Sequence, residues 1–136
     1  MAGVDLVDET FISASVSAVS AVVARPARWR EWFPDLQLTI FMDRGEKGIR
    51  WSVQGAFVGS MEVWLEPVGD GVLLHYYLRV VPTTVGSQTE PNPFPDDLKG
   101  YRDAAKIRSA RAKEWKKLSW ALKDELERDR AVGAPA

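Results

Sequence analysis

The sequence contains no cysteine and a single histidine, His75, and these two shortages exclude several kinds of chemistry. Without cysteine, the chain can form neither a disulfide bond nor a thiolate nucleophile. One histidine cannot make a histidine-rich zinc site. A Ser-His-Asp triad would have to use His75, and no GxSxG motif accompanies it. We therefore predict no bound metal, no cofactor and no nucleophilic catalysis.

The sequence also lacks a long hydrophobic run and a strong excess of charge of one sign. No stretch approaches the ~18 apolar residues of a membrane-spanning helix. Residues 12–24 are apolar, but acidic residues precede them where a signal peptide carries basic ones. The formal net charge is −1, which argues against a polyanion-binding molecule. We expect a cytoplasmic protein without stable membrane insertion and without a nucleic-acid partner.

What the chain does contain is typical of one folded domain. It has 136 residues, 46% of them hydrophobic and 27% charged. We assign residues 1–131 to a single domain and residues 132–136 to a disordered tail. Six Trp, five Phe and three Tyr are a large aromatic content, which either fills a core or lines a cavity for an apolar guest.

The charge is unevenly distributed along the chain. Between Lys99 and Lys123, nine basic residues accompany only Asp103 and Glu114, a local net charge of +7. Residues 1–98 carry seven basic and thirteen acidic residues, a local net charge of −6. The overall neutrality therefore conceals an acidic body and a basic C-terminal segment.

The pattern of apolar residues predicts a strand, two short helices, an antiparallel meander and a long helix. The segment VDLVDETFISAS is rich in β-branched and aromatic residues and ends at the N-cap candidates Ser13 and Ser15. Pro26 suits the first position of a second short helix. From Leu36 to Val81, apolar residues alternate in four segments separated by turns that contain glycine. The inner face of the first segment is predicted to hold Leu36, Leu38, Ile40 and Met42.

A long helix is predicted over residues 97–130, where proline is absent. Its apolar stripe is predicted to contain Tyr101, Ala104, Trp115, Leu118, Leu122 and Leu126. The helix is longer than the strands, so one of its ends should extend beyond the sheet. The proline-rich residues 82–96 that precede it are either a binding loop or lid, or a solvated linker.

Three stretches carry a family resemblance: FISASVSAVSAVVARPARW, WREWFPDL and LEPVGDGVLLHYYLRV. They resemble the START-like (SRPBCC) superfamily, in particular its polyketide cyclase/dehydrase-like branch. The resemblance implies the helix-grip fold of the α+β class. In this fold a curved antiparallel sheet, here of about five to six strands, wraps around a long C-terminal helix, and two short helices follow the first strand. The family sheet normally has seven strands, so a smaller or more open cavity is expected.

The resemblance implies a protein that binds an apolar or amphipathic small molecule in a cavity between the sheet and the C-terminal helix. The residues predicted to line this cavity are Trp32, Leu38, Ile40, Trp51, Val53, Met61, Val63, Leu74, Tyr76, Leu78, Arg108, Arg111, Trp115 and Leu118. Most of these would also be ordinary core residues. Arg108 and Arg111 either bind an anionic group of the ligand or pair with carboxylates at the rim.

Two alternatives remain open at the level of the sequence. The first is a cyclase or dehydratase in which Tyr76, Arg108 or Arg111 polarises a carbonyl group. The second is an interaction or dimerisation module that acts through the basic helix, where Trp120 lies among lysines. A homodimer through this helix and an ordinary solvated face are both compatible with that pattern. We predict that His75, Glu62 and Glu66 lie on the outer face of the sheet without a catalytic role.

Overall fold

A computed structural model describes the backbone of residues 3–131 and the side chains of residues 3–128. Its elements in chain order are β1 (Val4–Ile12), α1 (Val16–Val23), α2 (Pro26–Trp32), β2 (Leu36–Asp43), a short 3-10 turn (Gly45–Lys47), β3 (Gly48–Gly55), β4 (Phe57–Val68), β5 (Gly71–Pro82) and α3 (Leu98–Ala131). The predicted order of elements is confirmed. The tail predicted for residues 132–136 lies outside the described residues.

The five strands form one antiparallel sheet in the order β1-β5-β4-β3-β2. Strands β2 to β5 form a meander in chain order, and the last of them, β5, also pairs with β1. Strands β1 and β2 are therefore the two edges of the sheet. Val68 pairs with Gly71 at the tight β4–β5 turn, where Gly69 has a φ of 58°. That left-handed conformation suits glycine, which has no Cβ to clash. The inner face of the curved sheet packs against the helices, as in the predicted helix-grip fold.

The two short helices begin where the sequence predicts. The hydroxyl of Ser15 accepts a hydrogen bond from the Ala18 amide at 3.1 Å and caps α1. Pro26 occupies the first turn of α2, where its missing amide hydrogen costs nothing. The indole nitrogen of Trp29 donates to the Val23 carbonyl at 2.6 Å, which ties α2 to the end of α1.

Helix α3 packs on the inner face of the sheet through Trp115, Leu122 and Leu126, which belong to the buried core, and Ala104 is buried as well. The prediction that Tyr101 belongs to this stripe is wrong, because its side chain is 51% exposed. Arg108 contacts Asp5 near the start of β1. Tyr101, seven residues earlier, therefore lies about 10 Å further along the helix, beyond the strand. None of the helices within residues 3–131 is long and apolar enough to cross a bilayer.

Three basic side chains of α3 bind the backbone of the edge strand β1. Arg108 donates from Nε to the Asp5 carbonyl at 2.9 Å. Lys116 donates from Nζ to the Glu9 carbonyl at 3.4 Å, and Lys123 from Nζ to the Phe11 carbonyl at 2.8 Å. These cations occupy acceptors that the edge of a sheet otherwise leaves without a strand partner. Part of the basic charge of α3 therefore stabilises the contact between this helix and β1.

The strict alternation predicted for β2 fails at a β-bulge. Ile40 pairs with Trp51 on the inner face, but the next paired residue, Met42, faces Arg50, which lies on the outer face. The extra residue, Phe41, changes the phase of the strand, so Met42 leaves the inner face to which the sequence assigns it. Because β2 is an edge strand, Ile40 is itself 46% exposed.

The proline-rich connection between β5 and α3 is bound to the rest of the molecule. The Gln88 carbonyl accepts a hydrogen bond from the Gly55 amide at 2.9 Å, and Phe94 packs partly buried against the core. At Gly100, an added Cβ would lie 1.8 Å from the Pro95 carbonyl oxygen, so the loop approaches α3 at a distance that only glycine permits. This connection is packed, unlike a purely solvated linker.

Candidate functional site

Five aromatic rings meet between the inner face of the sheet and the helices, and we call them the aromatic cluster. They are Trp29, Phe33, Trp51, Tyr76 and Trp115, and all are buried. Strands β3 and β5 supply Trp51 and Tyr76, because both residues fall in the inward phase of the alternation. Helix α2 supplies Trp29, the residue that follows α2 is Phe33, and α3 supplies Trp115. These three rings cover the inner face of the sheet.

Three rings of the aromatic cluster lie nearly parallel. Tyr76 and Trp115 stack with their centroids 3.9 Å apart and their planes at 12°. Phe33 lies 6.3 Å from each of them, at 5° to Tyr76 and 8° to Trp115. Trp29 and Trp51 meet edge to face at 5.2 Å and 77°. Such offset stacked and edge-to-face contacts stabilise aromatic pairs beyond simple burial.

The aromatic cluster contains few polar atoms, and not all of them form hydrogen bonds. The Tyr76 hydroxyl donates to the sulfur of Met61 at 3.4 Å. Burial raises the pKa of Tyr76 well above its ordinary range, and the nearby charge of Arg111 opposes this only in part. The indole nitrogen of Trp51 is buried and has no hydrogen-bond partner among the described residues. An unsatisfied buried donor is unusual in a folded protein.

A carboxylate on the inner face was missed by the sequence reasoning. Asp8 of β1 pairs across the sheet with Tyr76 and accepts a hydrogen bond from Trp115 Nε1 at 3.0 Å. Its other oxygen lies 2.8 Å from Lys116 Nζ. The signal was available, because Asp8 falls in the same phase of β1 as the buried residues Val4 and Leu6.

Arg111 lies beside the aromatic cluster and connects α3 to the turn that carries Phe33. Its guanidinium forms an ion pair with Asp35, two residues after Phe33, and stacks over the Phe57 ring at 4.8 Å. The Arg111 side chain is only 13% exposed. The sequence left two roles open for Arg111, binding an anionic group of a ligand or pairing with a carboxylate at the rim. In the structure Arg111 pairs with the carboxylate of Asp35.

The structure brings most of the predicted lining residues together. Those that are buried in one core are Trp51, Val53, Met61, Val63, Leu74, Tyr76, Leu78 and Trp115. Trp32, Leu38 and Leu118 pack partly buried against that core. Ile40 and Arg108 lie elsewhere, on the β2 edge and along the β1 edge. Of the three residues named for the enzyme alternative, Arg108 therefore lies apart from Tyr76 and Arg111.

The rings of the aromatic cluster pack directly on one another, whereas a groove of about 500 Å³ lies on the outer face of the sheet. Val7, Phe41 and Tyr77 supply its apolar surface. Its charges are paired, since Arg79 lies 3.2 Å from Asp5 and Arg50 lies 3.1 Å from Glu62. The sequence did not predict this groove, although the alternation of β2 places Phe41 on the face opposite Leu38 and Ile40.

His75 lies on the outer face, as predicted, but it is only 6% exposed. The Trp64 ring stacks on it at 4.2 Å, which accounts for its burial. Its Nε2 lies 2.9 Å from a Glu66 oxygen, and its Nδ1 lies 3.6 Å from Glu9, beyond hydrogen-bond distance. No group of three or more metal-ligating side chains forms among the described residues.

No protein-family model matches the sequence, and no curated protein matches it. Among solved structures, the Aha1 dimer from Colwellia psychrerythraea is 14% identical with a TM-score of 0.58, and the match covers 91% of this chain and 96% of that one. A START superfamily protein from Mycobacterium smegmatis is 14% identical with a TM-score of 0.56, and the match covers 93% and 99% of the two chains.

At identities this low, structural likeness establishes the fold and no activity. The narrower resemblance to polyketide cyclases stays a prediction. The element order, the inner face gripping α3 and the two structural neighbours agree with one another. The chain therefore has a START-like helix-grip fold, as its sequence motifs predict.

Proposed function

We propose that this protein binds a planar apolar or amphipathic small molecule at the aromatic cluster, between the sheet and α3, without carrying out chemistry on it. The observation that carries the proposal is the parallel arrangement of Phe33, Tyr76 and Trp115. Parallel rings favour a flat guest, because a guest in the place of Phe33 would lie parallel to the Tyr76 and Trp115 rings, beside their stack. The binding would take place in the cytoplasm, the location that the sequence predicts.

Phe33 is the ring that a guest would replace. It lies in the turn between α2 and β2, outside any regular element, whereas Tyr76 and Trp115 are held by β5 and α3. The ion pair between Arg111 and Asp35 fastens this turn to α3. Outward movement of the turn would open a flat space beside the stack of Tyr76 and Trp115 for the guest.

Two polar groups would give the site its selectivity. Arg111, once separated from Asp35, could bind a carboxylate, sulfonate or phosphate of an amphipathic guest. The unpartnered indole nitrogen of Trp51 could donate to a carbonyl or hydroxyl oxygen deeper inside. The remaining wall is apolar, which suits a molecule with a single polar end.

The test uses two planar fluorescent probes, anionic 1-anilinonaphthalene-8-sulfonate and neutral N-phenyl-1-naphthylamine. We expect both probes to bind with an increase in fluorescence. Replacing Phe33→Leu should strengthen the binding of both, because the smaller side chain leaves room beside the Tyr76–Trp115 stack. Replacing Arg111→Met also releases the turn from α3, so the neutral probe should bind at least as strongly as it binds the wild type. Relative to the neutral probe, the anionic probe should bind about tenfold more weakly, since a charge-assisted hydrogen bond is lost.

The matched control is Phe41→Leu, which makes the same change on the outer face. It should leave the binding of both probes unchanged. If Phe41→Leu reduces binding and Phe33→Leu does not, the guest occupies the outer groove and the proposal is wrong. Failure of both probes to bind any of these proteins would contradict it as well. Native mass spectrometry of the purified protein can then identify a co-purified guest.

A further inference from the structure

The face of α3 turned away from the sheet carries a line of exposed side chains that we call the outer stripe. It consists of Leu98, Arg102, Lys106, Lys113, Lys117 and Trp120. At 3.6 residues per turn, these positions fall within a sector of about 100°. Leu98 and Trp120, which mark the two ends, are 63% and 59% exposed. The outer stripe extends for about 33 Å along the helix.

The cations of the outer stripe differ from the basic residues of α3 that contact the rest of the molecule. Arg108, Lys116 and Lys123 bind the β1 backbone, and Arg111 pairs with Asp35. Within the described part of the chain, by contrast, no ion pair or side-chain hydrogen bond is formed by Arg102, Lys106, Lys113 or Lys117. Four positive charges without partners therefore lie in one line, with an exposed apolar side chain at each end.

We propose that the outer stripe is a docking surface for an anionic lipid bilayer. A flat bilayer can contact every residue of a straight stripe at once. Its phosphate and carboxylate groups would pair with the four cations, and its interface would receive the side chains of Leu98 and Trp120. Tryptophan is favoured at that depth because its ring is apolar and its indole N–H is polar.

The charge of the rest of the molecule supports the same orientation. Residues 1–98 carry thirteen acidic and seven basic residues and are repelled by an anionic surface. The protein is therefore expected to dock with α3 against the bilayer and the sheet directed away from it. The helix would lie in the headgroup region without crossing the membrane.

Two other occupants fit the outer stripe less well. A second copy of the chain placed face to face would bring the unpaired cations of one α3 against those of the other, and like charges repel. A nucleic acid could pair with the cations, but its backbone offers no apolar environment for Leu98. The bilayer is the partner that uses both the charged and the apolar residues of the outer stripe.

The experiment is sedimentation of the full chain with vesicles of phosphatidylcholine mixed with phosphatidylserine, and with vesicles of phosphatidylcholine alone. We expect sedimentation with the mixed vesicles only, and its loss at about 1 M salt, where the screening length falls to about 3 Å. Each cation near an anionic surface strengthens binding about fivefold. The double variant Lys106→Glu and Lys113→Glu changes the charge of the outer stripe by four units and should therefore weaken binding at least a hundredfold.

The matched control is the double variant Arg30→Glu and Lys47→Glu, which changes the net charge equally on exposed residues outside α3. It should retain binding to the mixed vesicles. Brominated lipids should quench the fluorescence of the wild type more than that of Trp120→Phe, because Trp120 enters the interface.

Three outcomes would overturn the proposal. They are equal loss of binding in the two double variants, absence of sedimentation with the mixed vesicles, and a concentration-dependent dimer that Lys113→Glu abolishes. Salt-sensitive binding to a DNA or RNA duplex without binding to vesicles would assign the outer stripe to a nucleic acid instead.

Discussion

Tyr76 carries an ionisable hydroxyl into the core, where water cannot stabilise the phenolate. Burial raises the pKa of Tyr76 above its ordinary value of 10.0. The unfolded chain therefore loses this proton first as the pH rises. Above the ordinary value, the free energy of unfolding should fall by about 1.4 kcal/mol per pH unit because of this one group, until the pH reaches the pKa of the folded protein.

The variant Tyr76→Phe removes this contribution. Urea unfolding of both proteins from about pH 8 to about pH 11 should give two stability curves that converge or cross above the ordinary tyrosine pKa. Below it, the variant should be slightly less stable, because it lacks the hydrogen bond to Met61. Parallel curves over the whole range would mean that Tyr76 ionises as easily in the folded protein as in the unfolded chain.

The sequence was sufficient to predict which face of the sheet or helix some single residues occupy, but not others. Trp51, Tyr76 and Trp115 could be assigned to the interior because their strands and helix keep a regular period. Met42 could not, because the bulge at Phe41 depends on how β2 pairs with β3. Asp8 follows the inward period, but a carboxylate is taken for a surface residue until a partner such as Trp115 is known.

At the scale of elements, α3 combines a structural and an exposed basic face, and these two faces can be separated by mutation. Lys116 and Lys123 bind carbonyl groups of β1, whereas Lys113 and Lys117 have no such partner within the described residues. Replacing Lys116→Met and Lys123→Met together should lower the free energy of unfolding by about 1–3 kcal/mol. It should also promote aggregation, because the β1 edge becomes available to another chain.

The matched double variant Lys113→Met and Lys117→Met removes the same charge from the same helix. Its free energy of unfolding, measured with urea, should stay within about 0.5 kcal/mol of that of the wild type. Light scattering on heating should rise earlier for the first double variant only. If the two variants lose stability equally, the contacts of α3 with the β1 backbone contribute nothing to the fold.

The order of elements could be predicted because the long segments keep one period, three to four residues in α3 and two in the strands apart from the bulge in β2. What the sequence could not decide was whether the aromatic rings surround an open space. That depends on how closely α3 and the turn carrying Phe33 approach the sheet, which is a property of the assembled core. The direct stacking of Tyr76 on Trp115 answers this question for that part of the interior.

At the scale of the whole molecule, the separation of charge should be measurable without any partner. The isoelectric point is about 5.9, so at about pH 7.5 the protein is net negative and should bind an anion exchanger. We expect it to bind a sulfonate cation exchanger as well, through the outer stripe. The double variant Lys106→Glu and Lys113→Glu should no longer bind the cation exchanger but should still bind the anion exchanger. The double variant Arg30→Glu and Lys47→Glu should bind both resins.

Trp120→Ala separates this electrostatic property from docking on a bilayer. A resin offers charge but no apolar interior, so the variant should be retained by the cation exchanger like the wild type. Its binding to anionic vesicles should nevertheless weaken, because an interfacial side chain is lost. If the wild type flows through the cation exchanger, the four cations do not act as one surface, and any vesicle binding must come from another part of the molecule.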